Sequence, residues 1–338
     1  MPARDLLAKL DIRRIVTDGD MDGLMAAAVL RHGWPDAEVI FSHPAEIRSG
    51  YLDAVIDEHT AICDLPFHSA CGLYIDHHAT NKPTAEQRQV FEARGGQVHW
   101  MEADSAARVA FELFQPIFDL GALAPLMDMV DRLDSGKISH EEFLSDHPVI
   151  WLSRTVSASY PEYTHGLLEK LVAGDDLESI MEDASVAVRI AAKRVEQEGV
   201  RALLEVDSQV IDRLAIARLD ETGFRTNGFL VTAHFGVDCD ACMIIHGNVD
   251  GKIGESDRWP LSASFYTNSF LHSEGGIFDL TRLATLLDSS GGGHRNACGC
   301  RLVPLDDEGN QVERAVEPAD VQRNIDAWMA IWAQRKSD

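Results

Sequence analysis

Aspartates and histidines follow three short apolar runs of this sequence, and these side chains suit divalent metal ions. The runs end in TDGDMDG, CDLP and YIDHHATN, which contribute Asp18, Asp20, Asp64, Asp76, His77 and His78. Carboxylates gathered in one place repel one another unless cations neutralise them. Carboxylates combined with imidazoles suit Mn²⁺, Fe²⁺, Co²⁺ or Mg²⁺ better than structural Zn²⁺. Two such ions sharing a carboxylate would activate a water for in-line attack on phosphorus.

The first half of the chain alternates predicted strands with predicted helices. Strands are predicted over RRIVTD, AEVIFSH, TAICDL and CGLYIDHH, and helices over DGLMAAAVLRHG and PTAEQRQVFEARGG. This alternation predicts an α/β fold whose mostly parallel sheet is covered by helices on both faces. The carboxyl ends of parallel strands meet in one crevice, so the three acidic motifs are expected to converge there.

The pattern changes along the second half of the chain. Residues from about 121 to 174 look helical, and the helical run from 177 to 205 is either an interdomain connector or a packed helix. Strand patterns return from about residue 207. We expect a first domain over 1–185, a helical linker over 186–205 and a smaller α/β domain over 206–338. The active-site cleft is expected between the two domains.

The bulk composition narrows the functional classes. The 338 residues carry a net charge of −25, and such an acidic surface repels long polyanions. A nucleic-acid substrate is therefore expected to be short or held in a local basic pocket. Neither a secretory signal nor a membrane-spanning run is found, which predicts a cytoplasmic protein with reduced thiols.

Each acidic motif alone also has a purely structural explanation. Asp18 to Asp22 could cap a helix, CDLP could be a turn, and the histidine pair could be a satisfied loop. Three such motifs at three strand ends are harder to explain in this way. Asp22 is the member that we assign to the helix cap.

The cysteines offer a second metal-binding hypothesis. The second half of the chain carries CDAC and CGC, which supply Cys239, Cys242, Cys298 and Cys300. Four thiols could bind zinc, but the second pair has only one intervening residue. A role as small buried apolar residues is therefore preferred.

The motifs together resemble a known superfamily. DGDMDG, CDLP and IDHHAT resemble the first three motifs of the DHH phosphoesterases, and GGGHRNACGC resembles the signature of the DHH-associated C-terminal domain. That domain accompanies RecJ-type exonucleases and nanoRNases. The resemblance implies that the first domain is catalytic and that the second binds substrate.

The resemblance also implies a role for each motif residue. Asp18 and Asp20 would each bind one of two divalent ions, and Asp64 would bridge both. His77 would be a further ligand. Manganese is the expected metal, with Mg²⁺ or Co²⁺ as alternatives.

The other two residues of the Asp-His-His triplet are the predicted catalytic pair. His78 would face the substrate phosphate, and Asp76 would orient the histidines without binding metal. Many members of the superfamily also carry a histidine just before the first aspartate, where this chain has Arg14 and Val16. We hypothesise that His43 replaces it from the neighbouring strand.

A fourth motif should supply one more metal-binding aspartate. LMDMVDRLDSG offers Asp128, Asp131 and Asp134, which lie near one helix face. Asp131 is chosen because the family's aspartate tends to follow an apolar pair, and Asp128 is the reserve. The alternative is that all three are solvated acids.

The glycine-rich segment is the predicted phosphate-binding element. Three consecutive glycines allow close backbone approach, and successive amides can form a concavity for anions. The predicted substrate-binding residues are Gly291, Gly292, Gly293, His294, Arg295 and Asn296. Phe265 and Tyr266 could stack on a base or lie in the core.

These inferences lead to a metal-dependent phosphodiesterase acting on short oligonucleotides or small nucleotides, such as linear dinucleotides or a 3′,5′-bisphosphonucleoside. One alternative is a polyphosphate or pyrophosphate hydrolase, against which the glycine-rich signature counts. Another is a non-catalytic nucleotide-binding scaffold. The expected partner is a short single-stranded nucleic acid or a small nucleotide, and the oligomeric state, including a homodimer, stays open.

Overall fold

The computed structural model describes residues 2–255 and 258–335, which belong to two compact units. The first unit contains the chain up to Lys137 together with residues 145–193. The second unit contains the short segment Ile138–Leu144 and the chain from Arg194 onwards. The predicted linker over 186–205 is part of one long helix, within which the boundary between the units falls.

The elements are numbered here in chain order. The strands are β1 (Arg14–Asp18), β2 (Glu38–Ser42), β3 (Thr60–Cys63), β4 (Leu73–Asp76), β5 (Gln97–Trp100), β6 (Ser208–Ile211), β7 (Leu214–Arg218), β8 (Ala241–His246), β9 (Ser262–Thr267), β10 (Gly292–His294) and β11 (Ala297–Arg301). The helices are α1 (Ala3–Lys9), α2 (Met21–Gly33), α3 (Pro44–Arg48), α4 (Ala85–Ala93), α5 (Ala106–Phe114), α6 (Ala124–Asp134), α7 (His140–Leu144), α8 (Pro148–Thr155), α9 (Pro161–Ala173), α10 (Leu177–Glu182), α11 (Ala184–Val206), α12 (Gly228–Phe235), α13 (Thr281–Leu287) and α14 (Pro318–Gln334).

The first unit is built on a five-stranded sheet with the order β2-β1-β3-β4-β5. Every pair in it is parallel. All residues of β3 and β4 are buried, as expected for central strands covered on both faces, and this explains their continuous apolar runs. The predicted α/β fold with a parallel sheet is therefore confirmed.

Helix α2 fixes the acidic motif against the sheet. Its residues from Met21 to Leu30 are all buried, and apart from Asp22 and Gly23 they are apolar, so this stretch packs against protein all round. A Cβ at Gly23 would lie 2.2 Å from the Asp18 carbonyl oxygen. Only glycine lets the helix begin this close to the end of β1.

The second unit contains a six-stranded mixed sheet with the order β10-β11-β9-β8-β7-β6. Only β7 and β8 pair in parallel; the other pairs are antiparallel. Its core includes Trp328 and Trp332 of α14, both with no exposed surface, and the Phe265 ring lies 5.2 Å from Trp328. Phe265 is thus a core residue, which was one of the two predictions for it, the other being stacking on a base.

The segment Ile138–Leu144 packs within the second unit although its neighbours in sequence belong to the first. The buried Phe143 ring stacks on Phe229 at 5.3 Å and lies 5.8 Å from Phe270. The second unit is therefore discontinuous in sequence.

Two sequence expectations concern cysteines and membranes. All six cysteines are buried as free thiols, and burial raises the pKa of the Cys239 thiol to about 11. Within residues 2–255 and 258–335, no cysteine belongs to a group able to hold a metal ion. No helix among these residues is long and apolar enough to cross a membrane.

Candidate metal centre

Three aspartates meet where β1 and β3 end. Asp18 is the last residue of β1, and Asp20 is the N-cap of α2, where its carboxylate accepts a hydrogen bond from the Gly23 amide at 3.0 Å. Asp64 follows β3 directly. The carboxylate oxygens of Asp18, Asp20 and Asp64 lie within 4.8 Å of one another. Three of the predicted ligands are thus brought together, but Asp18 and Asp20 lie in one group, whereas the resemblance implied a different ion for each.

A second group of metal-binding side chains surrounds His77. The His77 Nε2 atom lies 3.7 Å from Asp22 Oδ2 and 3.2 Å from Asp134 Oδ2. It also lies 3.7 Å from Asp64 Oδ1. Asp64 therefore borders both groups, which is the position that a carboxylate shared by two ions requires.

The His77 ring presents Nε2 to these carboxylates because its other nitrogen is occupied. Its Nδ1 atom lies 3.1 Å from the Ala103 carbonyl oxygen and donates to it. Burial lowers the pKa of His77, which favours the neutral ring with a lone pair on Nε2. A backbone carbonyl that fixes the tautomer in this way is typical of metal-binding histidines.

The position of Asp22 corrects its assignment to the helix cap. Asp20 caps α2, whereas the Asp22 carboxylate accepts hydrogen bonds from the amides of Ala106 at 2.7 Å and Ala107 at 2.6 Å. These amides open α5, whose positive end attracts a carboxylate. The packing of α5 beside α2 is a long-range contact that local spacing does not reveal. Asp22 consequently joins the group around His77.

The choice of Asp131 as the fourth ligand is also corrected. The Asp131 carboxylate binds the Arg108 guanidinium at 2.8 Å and the Ser105 hydroxyl at 2.6 Å. Asp128 has 85% of its side chain exposed. Residues three apart on a helix differ by about 60° in direction because a turn holds 3.6 residues. Of the three acids on α6, only Asp134 faces His77.

The buried carboxylates of Asp64 and Asp134 repel their acidic neighbours, and a bound cation would relieve this repulsion. Within the described part of the chain, no group donates a hydrogen bond to Asp64 Oδ1 or Asp134 Oδ2. Burial, reinforced by the neighbouring Asp22 and Asp20 carboxylates, raises the pKa of both residues well above the usual range for aspartate. Unsatisfied oxygens, an imidazole nitrogen and an excess of negative charge fit divalent ions.

The backbone at Asp64 is strained. Its φ angle of 56° lies in the left-handed region, which few residues other than glycine adopt. The Asp64 amide still donates to the Ile75 carbonyl at 3.1 Å, so the chain turns only after its last contact with β4. Strain of this kind persists where the surrounding structure enforces it, often at functional sites.

The predicted catalytic pair forms a buried hydrogen-bonded chain. His78 Nδ1 lies 2.9 Å from Asp76 Oδ1, and the Tyr74 hydroxyl donates to Asp76 Oδ2 at 2.7 Å. Burial opposes the charged forms, but the attraction between the two residues outweighs it: the pKa of Asp76 is lowered and that of His78 is raised. Asp76 thus orients the His78 ring, and sequence reasoning missed the contribution of Tyr74.

The glycine-rich segment is a β-hairpin instead of an open loop of amides. Strand β10 pairs with β11, and Arg295 and Asn296 form the turn. At Gly293 (φ 137°) a Cβ would lie 2.6 Å from the Ala297 carbonyl oxygen, so the close pairing requires glycine.

The two turn residues of this hairpin differ in their contacts. The Asn296 Oδ1 atom accepts hydrogen bonds from the Gly276 amide at 2.9 Å and the Thr267 hydroxyl at 3.2 Å. Arg295 is exposed, and no acid among the described residues forms an ion pair with it. The structure therefore gives Asn296 a role in the turn, whereas the Arg295 side chain is exposed.

Several solved structures resemble the whole chain. A pGpG-specific phosphodiesterase from Vibrio cholerae has a TM-score of 0.59 at 21% identity, covering 96% of this chain and 99% of its own. The DHH domain of a protein assigned to a family of ribosomal proteins has a TM-score of 0.54 at 13% identity, covering 98% and 88%. An exonuclease RecJ bound to manganese has a TM-score of 0.50 at 16% identity, covering 97% and 93%. These likenesses confirm the fold that the sequence motifs implied. No protein-family model matches the sequence, and no curated protein matches it.

Proposed function

We propose that this chain is a metal-dependent phosphodiesterase of the DHH phosphoesterase superfamily, which hydrolyses short oligonucleotides or small nucleotides. The observation that carries the proposal is the position of Asp64, which borders one group of carboxylates and a second group containing His77. A buried carboxylate shared between two such groups has no evident structural use, because its charge is repelled from both sides.

Two divalent ions would be held by this chain, with manganese preferred. Asp18, Asp20 and Asp64 would hold one ion. Asp64 would be shared with the other ion, which is held by Asp22, His77 and Asp134. When bound, such ions supply an activated water and neutralise charge that develops at phosphorus.

The protein's own contribution is to position and neutralise the phosphate. His78 is oriented by Asp76 and biased towards its protonated form, so it can donate a hydrogen bond to a phosphate oxygen as negative charge grows there. Arg295 on the second unit is a suitable partner for a terminal phosphate, since a guanidinium binds phosphate through two parallel hydrogen bonds.

The substrate class follows from charge and from the fold neighbours. A net charge of −25 disfavours long polyanions. One structure with this fold is named as a pGpG-specific phosphodiesterase. We therefore place linear dinucleotides first among substrates, ahead of longer single strands.

A substrate panel with Mn²⁺ tests the proposal. It would contain a linear dinucleotide, a short RNA oligonucleotide, a longer single strand, a 3′,5′-bisphosphonucleoside, pyrophosphate and polyphosphate. We expect fastest turnover of the dinucleotide, with loss of activity in Asp64→Ala and His77→Ala but not in Asp128→Asn. Phosphate release from polyphosphate alone would favour a polyphosphate hydrolase. Tight nucleotide binding without turnover would favour a scaffold.

A further inference from the structure

We infer that His43 is an additional metal ligand, which adds an imidazole nitrogen to the group formed by Asp18, Asp20 and Asp64. The inference rests on the proposed two-metal function and refines it. One ion would then be held by carboxylates and His77, and the other by carboxylates and His43.

Strand pairing brings His43 to the metal centre. Strand β2 lies beside β1, with Ser42 opposite Asp18. His43 is the next residue and therefore lies at the same sheet end as the acidic motif. Its Nδ1 atom is 3.5 Å from Asp18 Oδ1. The strand pairing thus places His43 on the neighbouring strand, as the sequence hypothesis expected.

The local structure does not use the His43 ring for anything else. His43 precedes α3 in the N-cap position, but its side chain makes no capping hydrogen bond. The ring keeps 35% of its surface exposed. Among residues 2–255 and 258–335, the ring forms no hydrogen bond that would explain its placement beside Asp18.

The distance between the two atoms is short enough for ligands of one ion and long for a direct hydrogen bond. A separation of 3.5 Å is long for a strong hydrogen bond between charged groups. Two ligands that bind one ion at right angles, each at about 2.1 Å, lie about 3 Å apart.

The identity of the metal gives the inference a distinctive consequence. Mg²⁺ prefers oxygen ligands and gains little from an imidazole, whereas Mn²⁺ follows the transition-metal series and accepts nitrogen. Loss of His43 should therefore weaken binding of Mn²⁺ more than binding of Mg²⁺. A general defect in folding would weaken both ions alike.

Calorimetric titration of the full chain with Mn²⁺ and with Mg²⁺ is the first test. We expect His43→Ala to lower the affinity for one of the two Mn²⁺ ions at least about tenfold. Mutating a residue that only hydrogen-bonds to a metal ligand already costs about this much. Mg²⁺ affinity should change less. His68→Ala is the matched control, because its Nε2 atom lies 3.4 Å from Asp53 Oδ1, outside the metal-binding groups. His43→Asp keeps a ligand and should recover most of the affinity.

Pulsed electron paramagnetic resonance of bound Mn²⁺ is the second test. In His77→Ala/His78→Ala, a nitrogen coupling from His43 should persist, and adding His43→Ala should abolish it. Absence of that coupling in the double variant, or unchanged Mn²⁺ affinities in His43→Ala, would overturn the inference. Wild-type protein that binds no Mn²⁺ would instead contradict the proposed function as a whole.

Discussion

The Nε2 atom of His77 and the Oδ2 atom of Asp134 lie 3.2 Å apart, although His77 follows β4 and Asp134 ends α6, far apart in the sequence. The two earlier acids of α6 point elsewhere, one towards Arg108 and one into solvent. This contact identifies which acid of the fourth motif lies beside His77.

Replacing Asp134 should therefore impair catalysis. Asp134→Asn removes a charged ligand, and we expect the rate of Mn²⁺-dependent dinucleotide hydrolysis to fall at least about a hundredfold. This exceeds the loss that is typical when a residue hydrogen-bonded to a ligand is mutated. Initial rates at saturating substrate measure this. Asp128→Asn, on the same helix but exposed, should retain wild-type rates. Equal losses in both variants would indicate a general effect of charge on α6.

Asp131→Asn should destabilise the protein without removing a metal ion. The substitution weakens the pair with Arg108 and leaves the guanidinium with a poorer partner, at a cost of about 1–3 kcal/mol. Urea unfolding measures the change in free energy, and Mn²⁺ titration counts the ions. A variant of normal stability that has lost one ion would restore Asp131 as a ligand.

Asp64→Asn should stabilise the metal-free protein while it abolishes activity. The folded-state pKa of Asp64 is raised, so the metal-free chain loses stability as pH rises from the unfolded pKa through the folded pKa. An uncharged amide avoids this loss, and asparagine tolerates the positive φ angle. We expect a gain in the free energy of unfolding at pH 7 in a chelator. Thermal melts with and without Mn²⁺ test it; a lower melting temperature in the chelator would contradict the repulsion argument.

Asp320 should contribute to acid sensitivity of the second unit. Its buried carboxylate is bound by Arg314 and by the amides of Glu317 and Leu305, and these hydrogen bonds lower its pKa. The stabilisation is complete above the unfolded pKa of about 3.9 and is lost as pH falls below it. Asp320→Asn should cost about 2 kcal/mol at pH 7 and progressively less towards about pH 3. Urea unfolding at several pH values measures this, and a pH-independent difference would rule it out.

The two turn residues of the glycine-rich hairpin should respond differently to substitution. Arg295→Ala should raise KM for a dinucleotide about tenfold with little change in kcat, as expected for loss of one charge-assisted contact. Asn296→Ala should lower the melting temperature by a few degrees, because its bonds to Gly276 and Thr267 are lost. Steady-state kinetics and thermal melts distinguish the two. Unchanged KM in Arg295→Ala would remove this residue from the substrate site.

Sequence reasoning predicted that the acidic motifs converge, but it did not predict every side chain that meets there. The convergence of Asp18, Asp64 and His77 follows from strand order alone, because parallel strands end at one edge. Asp22 and Asp134 depend on how α5 and α6 pack, and this involves contacts between distant segments that spacing does not encode. Acids three residues apart on a helix resemble one another in sequence, but they face different surroundings once the helix is packed.

The glycine-rich motif shows the same limit at shorter range. Its glycines predicted close backbone approach, and Gly293 fulfils this within a strand pair, where the near neighbour is the Ala297 carbonyl. Three glycines fit an open anion-binding loop and a tight hairpin equally well. The pairing partner, β11, decides between them.

The short segment Ile138–Leu144 bears on how the protein can be dissected. A fragment beginning at residue 194 would lack Phe143 and would expose Phe229 and Phe270 to water, which favours aggregation. Gene truncation at a single boundary is therefore a poor route to an isolated second unit. A soluble fragment would need this peptide tethered back through an engineered linker, or supplied in trans during refolding.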